Sequence, residues 1–285
     1  MQRVKPATAK AYLGALRSLH LQSNYDIAAF DDPRIELVLR GGKRIYGEGP
    51  RRTRLPLTSE VLTQIIPYIT HDKDGLNLKA ALCVAFAGFL RSGEFTWETW
   101  DALSSQTHLA RKHAKFNTDG SITLTLPASK TDPYHHGTPI HLSQAASVLC
   151  PVRALVRLFH VHYKQPDDPL FSRTFGPFSR SYLINKIKEL LLQAGINPSN
   201  FSGHSLRKGA AVSAAARGLS KDEIKLLGRW KSDAVDIYIN ELAEEDQISK
   251  LLHLNSRLHS SPSTTVPTTP NTQSNINYLP WPRQC

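Results

Sequence analysis

Between Leu76 and Leu90 the residues Leu78, Ala81, Leu82, Ala85, Phe86, Phe89 and Leu90 recur at helical spacing. A helix this apolar must be enclosed by other elements, so the chain needs a layered core around it. The pattern stops at Arg91-Ser-Gly-Glu94, where Gly93 is suited to a left-handed terminating conformation. Upstream, Thr58-Ser59-Glu60 opens a helix carrying Val61, Leu62, Ile65 and Ile66. Downstream the period changes to two. Ile122, Leu124 and Leu126 alternate with Thr123 and Thr125, and after a turn-rich stretch Thr138-Pro-Ile-His-Leu142 reads as the return strand of a β-hairpin. Helical spacing resumes at Pro151, with Val152, Leu155, Val156, Leu158 and Phe159, and again after Ser179, with Leu183, Ile187, Leu190 and Leu191. Three more helical segments follow over 202–217, 220–229 and 232–241, the middle one opened by the capping box Ser220-Lys-Asp-Glu223. The fold class read from this order is mainly α with a small antiparallel β-sheet, that is, α+β.

The ends of the chain are poorer in core. The first fifty residues offer two short helices, one capped by Thr8 with Ala11, Tyr12, Ala15, Leu16 and Leu19 in register, the other a brief segment at Ile35–Leu39. Residues 40–54 hold Arg40, Lys43, Arg44, Arg51, Arg52 and Arg54 against the single acid Glu48, among Gly41, Gly42, Gly47, Gly49 and Pro50, and read as a flexible basic linker. From His259 the sequence is dominated by Ser, Thr, Pro and Asn with Arg283 its only charge, which reads as disorder.

The 35 Lys and Arg exceed the 24 Asp and Glu by 11. That excess points to an acidic partner, nucleic acid first, with a merely solvated basic surface as the plainer alternative. No eighteen-residue apolar run exists and Met1–Gly14 lacks an apolar core, so neither a membrane span nor a secretory signal is expected and the location expected is intracellular. Cys83, Cys150 and Cys285 are odd in number and lack CxxC spacing, which argues against a disulfide scaffold or a cysteine zinc site; Cys83 and Cys150 read as small buried thiols.

His204 and Arg207 stand at i and i+3 near a helix start, so two cationic groups share one face. Singly, every candidate has an ordinary reading. Arg91 complements a helix dipole, Glu94 faces solvent, and Lys130 is solvated in the hairpin connection. Trp230 fills core, and Tyr238, flanked by Val235, Ile239 and Leu242, is a core aromatic. Their order says more. Leu90-Arg-Ser-Gly-Glu94, Ser129-Lys-Thr131, His204-Ser-Leu-Arg207, Leu227-Gly-Arg-Trp230 and Asp236-Ile-Tyr238, interleaved with helix, hairpin and helix, resemble the tyrosine recombinase (phage integrase) superfamily over residues 57 to about 250. Gly228-Arg-Trp-Lys-Ser-Asp-Ala234 looks most like recombinases of eukaryotic mobile elements, which would place the protein in a nucleus.

The resemblance implies a catalytic set of Arg91, Lys130, His204, Arg207, Trp230 and the nucleophile Tyr238, supported by Glu94. The implied chemistry is phosphoryl transfer on double-stranded DNA without metal or cofactor, by a homo-oligomer that is a tetramer on two DNA sites. Arg40, Lys43, Arg44, Arg51, Arg52, Arg54 and Lys208 are the expected DNA-binding residues. It also implies an organisation: 1–46 a truncated remnant of the helical core-binding (SAM-like) domain, 47–57 a basic linker, 58–258 the catalytic domain, whose last segment Glu241–Leu258 would dock on a neighbouring protomer, and 259–285 a disordered tail. Two features depart from the pattern. The helical part before the linker is short, and Trp230 precedes Tyr238 by eight residues, one fewer than the commonest spacing in the family. A DNA-binding protein of the same fold without activity is one alternative. Another is a helix-turn-helix module over Ala214–Ile224, with small residues, the turn Gly218 and the capping Ser220, which leaves Arg91, Lys130 and Tyr238 unexplained.

Overall fold

A computed structural model describes residues 4–47, 54–100, 103–104, 106–128, 132, 134 and 136–236, all within one unit spanning Met1–Ile239. The first two helices, α1 (Pro6–Gln22) and α2 (Pro33–Tyr46), pack on each other. Both differ from the sequence expectation. Lys5, not Thr8, is the N-cap of α1, with Pro6 pre-set for the first helical position. Asp32 caps α2 through the Arg34 N–H at 2.8 Å, and the helix continues through Gly41 and Gly42, so Arg40, Lys43 and Arg44 are helical rather than part of a linker.

The main core follows. Helix α3 (Ser59–Ile65) is capped by Thr58, and α4 (Lys73–Ala87) by Asp72, whose carboxylate accepts the Gly75 N–H at 2.7 Å. Helix α4 starts earlier than its apolar stripe, at that cap, and is buried along most of its length. It packs chiefly on α6 (Pro151–Val161) and on α8 (Ser205–Ala216). A short α5 (Ser92–Phe95) follows the turn after α4; α7 (Arg180–Gln193) is capped by Ser179, and α9 (Lys221–Gly228) by the Ser220/Glu223 capping box.

The sheet has three antiparallel strands in the order β1 (Ala114–Phe116), β2 (Ile122–Leu126), β3 (Thr138–Leu142). The expected hairpin is β2–β3, with Leu124 opposite Ile140 and Ile122 opposite Leu142. Ile122, Leu124 and Leu126 are fully buried, as period two requires. Strand β1 shows no alternation, because Lys115 and Phe116 are both exposed at the sheet edge. After α9 a single 3-10 turn, Asp233–Val235, is tied back by Lys221 to Asp236 at 2.7 Å and by Lys225 to Asp233 at 3.0 Å. Val235 is fully buried against Phe89, Ala210, Ala211 and Ile224. No helix among the described residues is long and apolar enough to cross a membrane.

Candidate active site

The site grows from the turn that ends α4. The chain reverses at Gly88 and Phe89, and it is Phe89, not Gly93, that takes the left-handed conformation, at φ 50°. For a bulky residue this costs on the order of 1–2 kcal/mol. The turn points the Phe89 carbonyl at two guanidiniums: Arg207 Nη1 donates to it, and Arg229 Nη2 donates at 3.4 Å. Arg229 itself is left-handed at φ 57°. Two left-handed non-glycine residues in direct contact mark where the surrounding structure sustains backbone strain, as functional sites do.

Arg91 does not end the long helix; it is the N-cap of α5. Its N–H donates to Glu94 Oε2 at 2.9 Å and its Nη1 to Oε1 at 2.8 Å. Arg229 Nη2 reaches the same carboxylate at 3.1 Å. Buried Glu94 is therefore not a solvent-facing acid but a bridge that fixes two guanidiniums, the half-buried Arg91 and the more enclosed Arg229. Burial holds Arg229 below the ordinary arginine range, with Glu94 opposing that shift.

Arg207, on the first turn of α8, is only 5% exposed. Beyond Phe89, its Nη2 donates to the Gly228 carbonyl, and its guanidinium lies over the Trp230 ring, 4.1 Å from the centroid. Trp230 meets Phe89 edge-on at 6.2 Å. The ring fits because position 228 has no side chain: a Cβ there would lie 1.5 Å from Trp230 Cζ3. Trp230 is thus the platform that holds Arg207 flat.

His204 caps α8 and is exposed to solvent. Desolvation, then the nearby Arg180, Arg207, Arg54 and Arg91, hold its pKa below the ordinary 6.5. That shift favours the neutral imidazole, the form able to accept a proton. These side chains open on a cavity of about 400 Å³ whose lining includes Arg91, Glu94, Ala128, Arg180, His204 and Arg207. Guanidiniums from two segments more than a hundred residues apart, beside a neutral imidazole, form an anion site suited to a tetrahedral oxyanion such as phosphate.

The structure thus brings together Arg91, Glu94, His204, Arg207 and Trp230. Lys130 and Tyr238 lie outside the described residues, as do Arg51, Arg52, the segment 241–258 and the tail. Ala128, two residues before Lys130, lines the pocket, and buried Val235 stands three residues before Tyr238. Lys208 is a correction: it is buried and donates to the Arg54 carbonyl at 2.9 Å, so it ties the chain entering the domain to α8 rather than facing DNA. Arg40, Lys43 and Arg44 sit on α2 and do not line the pocket. Sequence reasoning missed Arg229 and Arg180. A signal for Arg229 was present, since it, and not Trp230, stands nine residues before Tyr238.

No family model matches the chain. In sequence it is 27% identical over 208 residues to an integrase/recombinase XerD homolog of Selenomonas ruminantium, covering 70% of this chain and 57% of that protein. The chain thus spans under two thirds of that relative's length. In fold it is similar to the Tn1549 transposon integrase in complex with circular intermediate DNA, at TM-score 0.53 and 13% identity over 83% of this chain and 75% of that one. It is likewise similar to the XerH site-specific recombinase in a post-cleavage complex with palindromic difH substrate, at TM-score 0.51 and 15% identity over 72% and 56%. The narrower likeness to eukaryotic mobile-element recombinases receives no support from these proteins. The relative in sequence supports the tyrosine recombinase/integrase superfamily for this chain, and the neighbours show that its fold is that of tyrosine recombinase catalytic domains.

Proposed function

We propose that this chain cuts and rejoins double-stranded DNA through a covalent 3′-phosphotyrosine on Tyr238, as a site-specific recombinase or integrase. The observation that carries this reading is the convergence of Arg91, His204 and Arg207 on one pocket, with Glu94 and Trp230 holding the two arginines in place. A phenol with a pKa near 10 is a weak nucleophile, so the reaction needs a base and stabilisation of charge on the phosphoryl oxygens. In this reading Arg91 and Arg207 bind the nonbridging oxygens and neutral His204 takes the phenol proton. The Tyr238 oxygen bonds to phosphorus, the bond from phosphorus to the 5′-oxygen breaks, and Lys130 supplies the proton that the departing oxygen takes up. The reverse attack by a 5′-hydroxyl on the phosphotyrosine rejoins a strand, so the step balances without an external energy source.

Assembly of several copies on two DNA sites belongs to the same reading, supported by the family likeness. The likeness to eukaryotic elements rests on Gly228–Ala234 alone, and nuclear action would follow from it. The helix-turn-helix alternative is disfavoured by Asp222 and Glu223, which occupy the first turn of α9 where a recognition helix meets DNA.

The test is a duplex pool with a 5′-bridging phosphorothiolate flanked by randomised sequence. Cleavage releases a 5′-thiol that rejoins poorly, so an active protein accumulates as a covalent adduct. The adduct is expected with the native chain and absent with Tyr238→Phe. DNA retained without any adduct from the whole pool would leave a binding protein only.

A further inference from the structure

We propose that Arg180 is a further DNA-phosphate ligand of this pocket, a guanidinium set over Gly203 at its mouth to take a backbone phosphate oxygen beside those held by Arg91 and Arg207. The assignment rests on the reading of the pocket as a DNA site.

Three observations carry it. Arg180 lines the same cavity as Arg91, His204 and Arg207, although it comes from a different element, the first residue of α7. Its guanidinium is placed by space rather than by bonds. A Cβ on Gly203 would lie 2.9 Å from Arg180 Nε and 3.3 Å from Nη2, so the glycine beside His204 leaves room for the group to lie across the α8 entrance. Its backbone is anchored, since its N–H donates to Glu98 Oε1 at 3.1 Å. The third observation is a contrast. Arg207 donates to two carbonyls, Arg229 to two carbonyls and Glu94, and Arg91 to Glu94. Arg180 is exposed, and no hydrogen bond or ion pair engages its guanidinium among the described residues. An exposed, uncommitted cation at the rim of a cationic pocket is free to exchange water for a phosphate oxygen, and that exchange releases a counterion from DNA.

Arg180 also acts on its neighbour. After desolvation, it is the strongest of the charges that hold His204 below its ordinary pKa, ahead of Arg207, Arg54 and Arg91. Placing the cation here therefore favours the neutral imidazole, the form able to take the phenol proton.

The experiment compares the full chain with Arg180→Ala and Arg180→Lys, reading affinity for duplex DNA of unrelated sequences against salt. Loss of one phosphate contact reduces the slope of log K on log salt by about 0.9. Arg180→Ala is expected to show that reduction equally on every duplex, and Arg180→Lys, which keeps the charge, to retain the native slope. A native slope in Arg180→Ala overturns the assignment while leaving the reading of the pocket intact; salt-independent binding by the native chain overturns that reading and, with it, this assignment. In the DNA-free protein, NMR titration of His204 reports the placement directly. The imidazole is expected to titrate at higher pH in Arg180→Ala than in the native chain, and also in Gly203→Ala, where the new methyl displaces the guanidinium. Unchanged titration in both would show that Arg180 does not sit beside His204.

Discussion

At the scale of single residues, the two arginines of the pocket are held by opposite means. Arg91 is positioned by a carboxylate and left partly open, whereas Arg207 is buried against an indole and two carbonyls. The indole reaches it only because residue 228 is glycine, and the reason is space, not backbone freedom, since Gly228 is absent from the positive-φ residues. Gly228→Ala should therefore push Trp230 off Arg207. The expected cost is about 1–3 kcal/mol, typical of overpacking, together with a changed tryptophan emission and weakened phosphate binding; an unfolding midpoint and emission equal to the native protein's would contradict the platform role. At this scale sequence order singled out Arg91, Glu94, His204, Arg207 and Trp230, which the structure gathers, but misplaced Arg91. Arg91 appeared to close a helix because Phe89, which makes the actual left-handed turn, looks like one more core aromatic. Arg180 carried no motif, and its relation to His204 depends on a contact between α7 and α8 that no local pattern encodes.

At the scale of elements, helices with caps and stripes were legible. Thr58, Ser179 and Ser220 each accept the N–H three residues on, as their positions suggested. The failures have physical causes. Paired glycines in a basic stretch signal a linker, yet the Asp32 cap, Pro33 at the first position and packing on α1 carry α2 through Gly41 and Gly42. Each glycine costs roughly 1 kcal/mol relative to alanine inside a helix. A Cβ at Gly41 meets nothing within 4 Å, so Gly41→Ala is expected to stabilise the protein by about 0.5–1 kcal/mol in denaturant melts. A neutral or destabilising effect would mean that residues 40–46 behave as the linker their composition suggested. Strand β1 escaped notice because an edge strand of three residues with two exposed side chains has no alternation to read.

At the scale of the whole molecule, the net charge of +11 resolves into separate groups. Arg91, Arg180 and Arg207 face one cavity, Arg40, Lys43 and Arg44 lie on α2, and buried Lys208 belongs to the packing of the domain rather than to its surface. The α+β class was readable because one switch of period, at the β2–β3 hairpin, stands out against helices on either side. What joins the parts was not readable: the Phe89 and Arg229 turns meet across 140 residues, and only tertiary contact reveals that they build one site. The central claim is that this site directs Tyr238 onto a DNA phosphate, and mapping the trapped adduct tests it most directly. Trypsin should release residues 232–250 as one peptide, Ser232–Lys250, in which Tyr238 is the only tyrosine. Mass spectrometry of adduct from the phosphorothiolate pool is expected to find the nucleotide phosphate on Tyr238 in that peptide. Attachment at any other residue, or its persistence in Tyr238→Phe, would contradict the account.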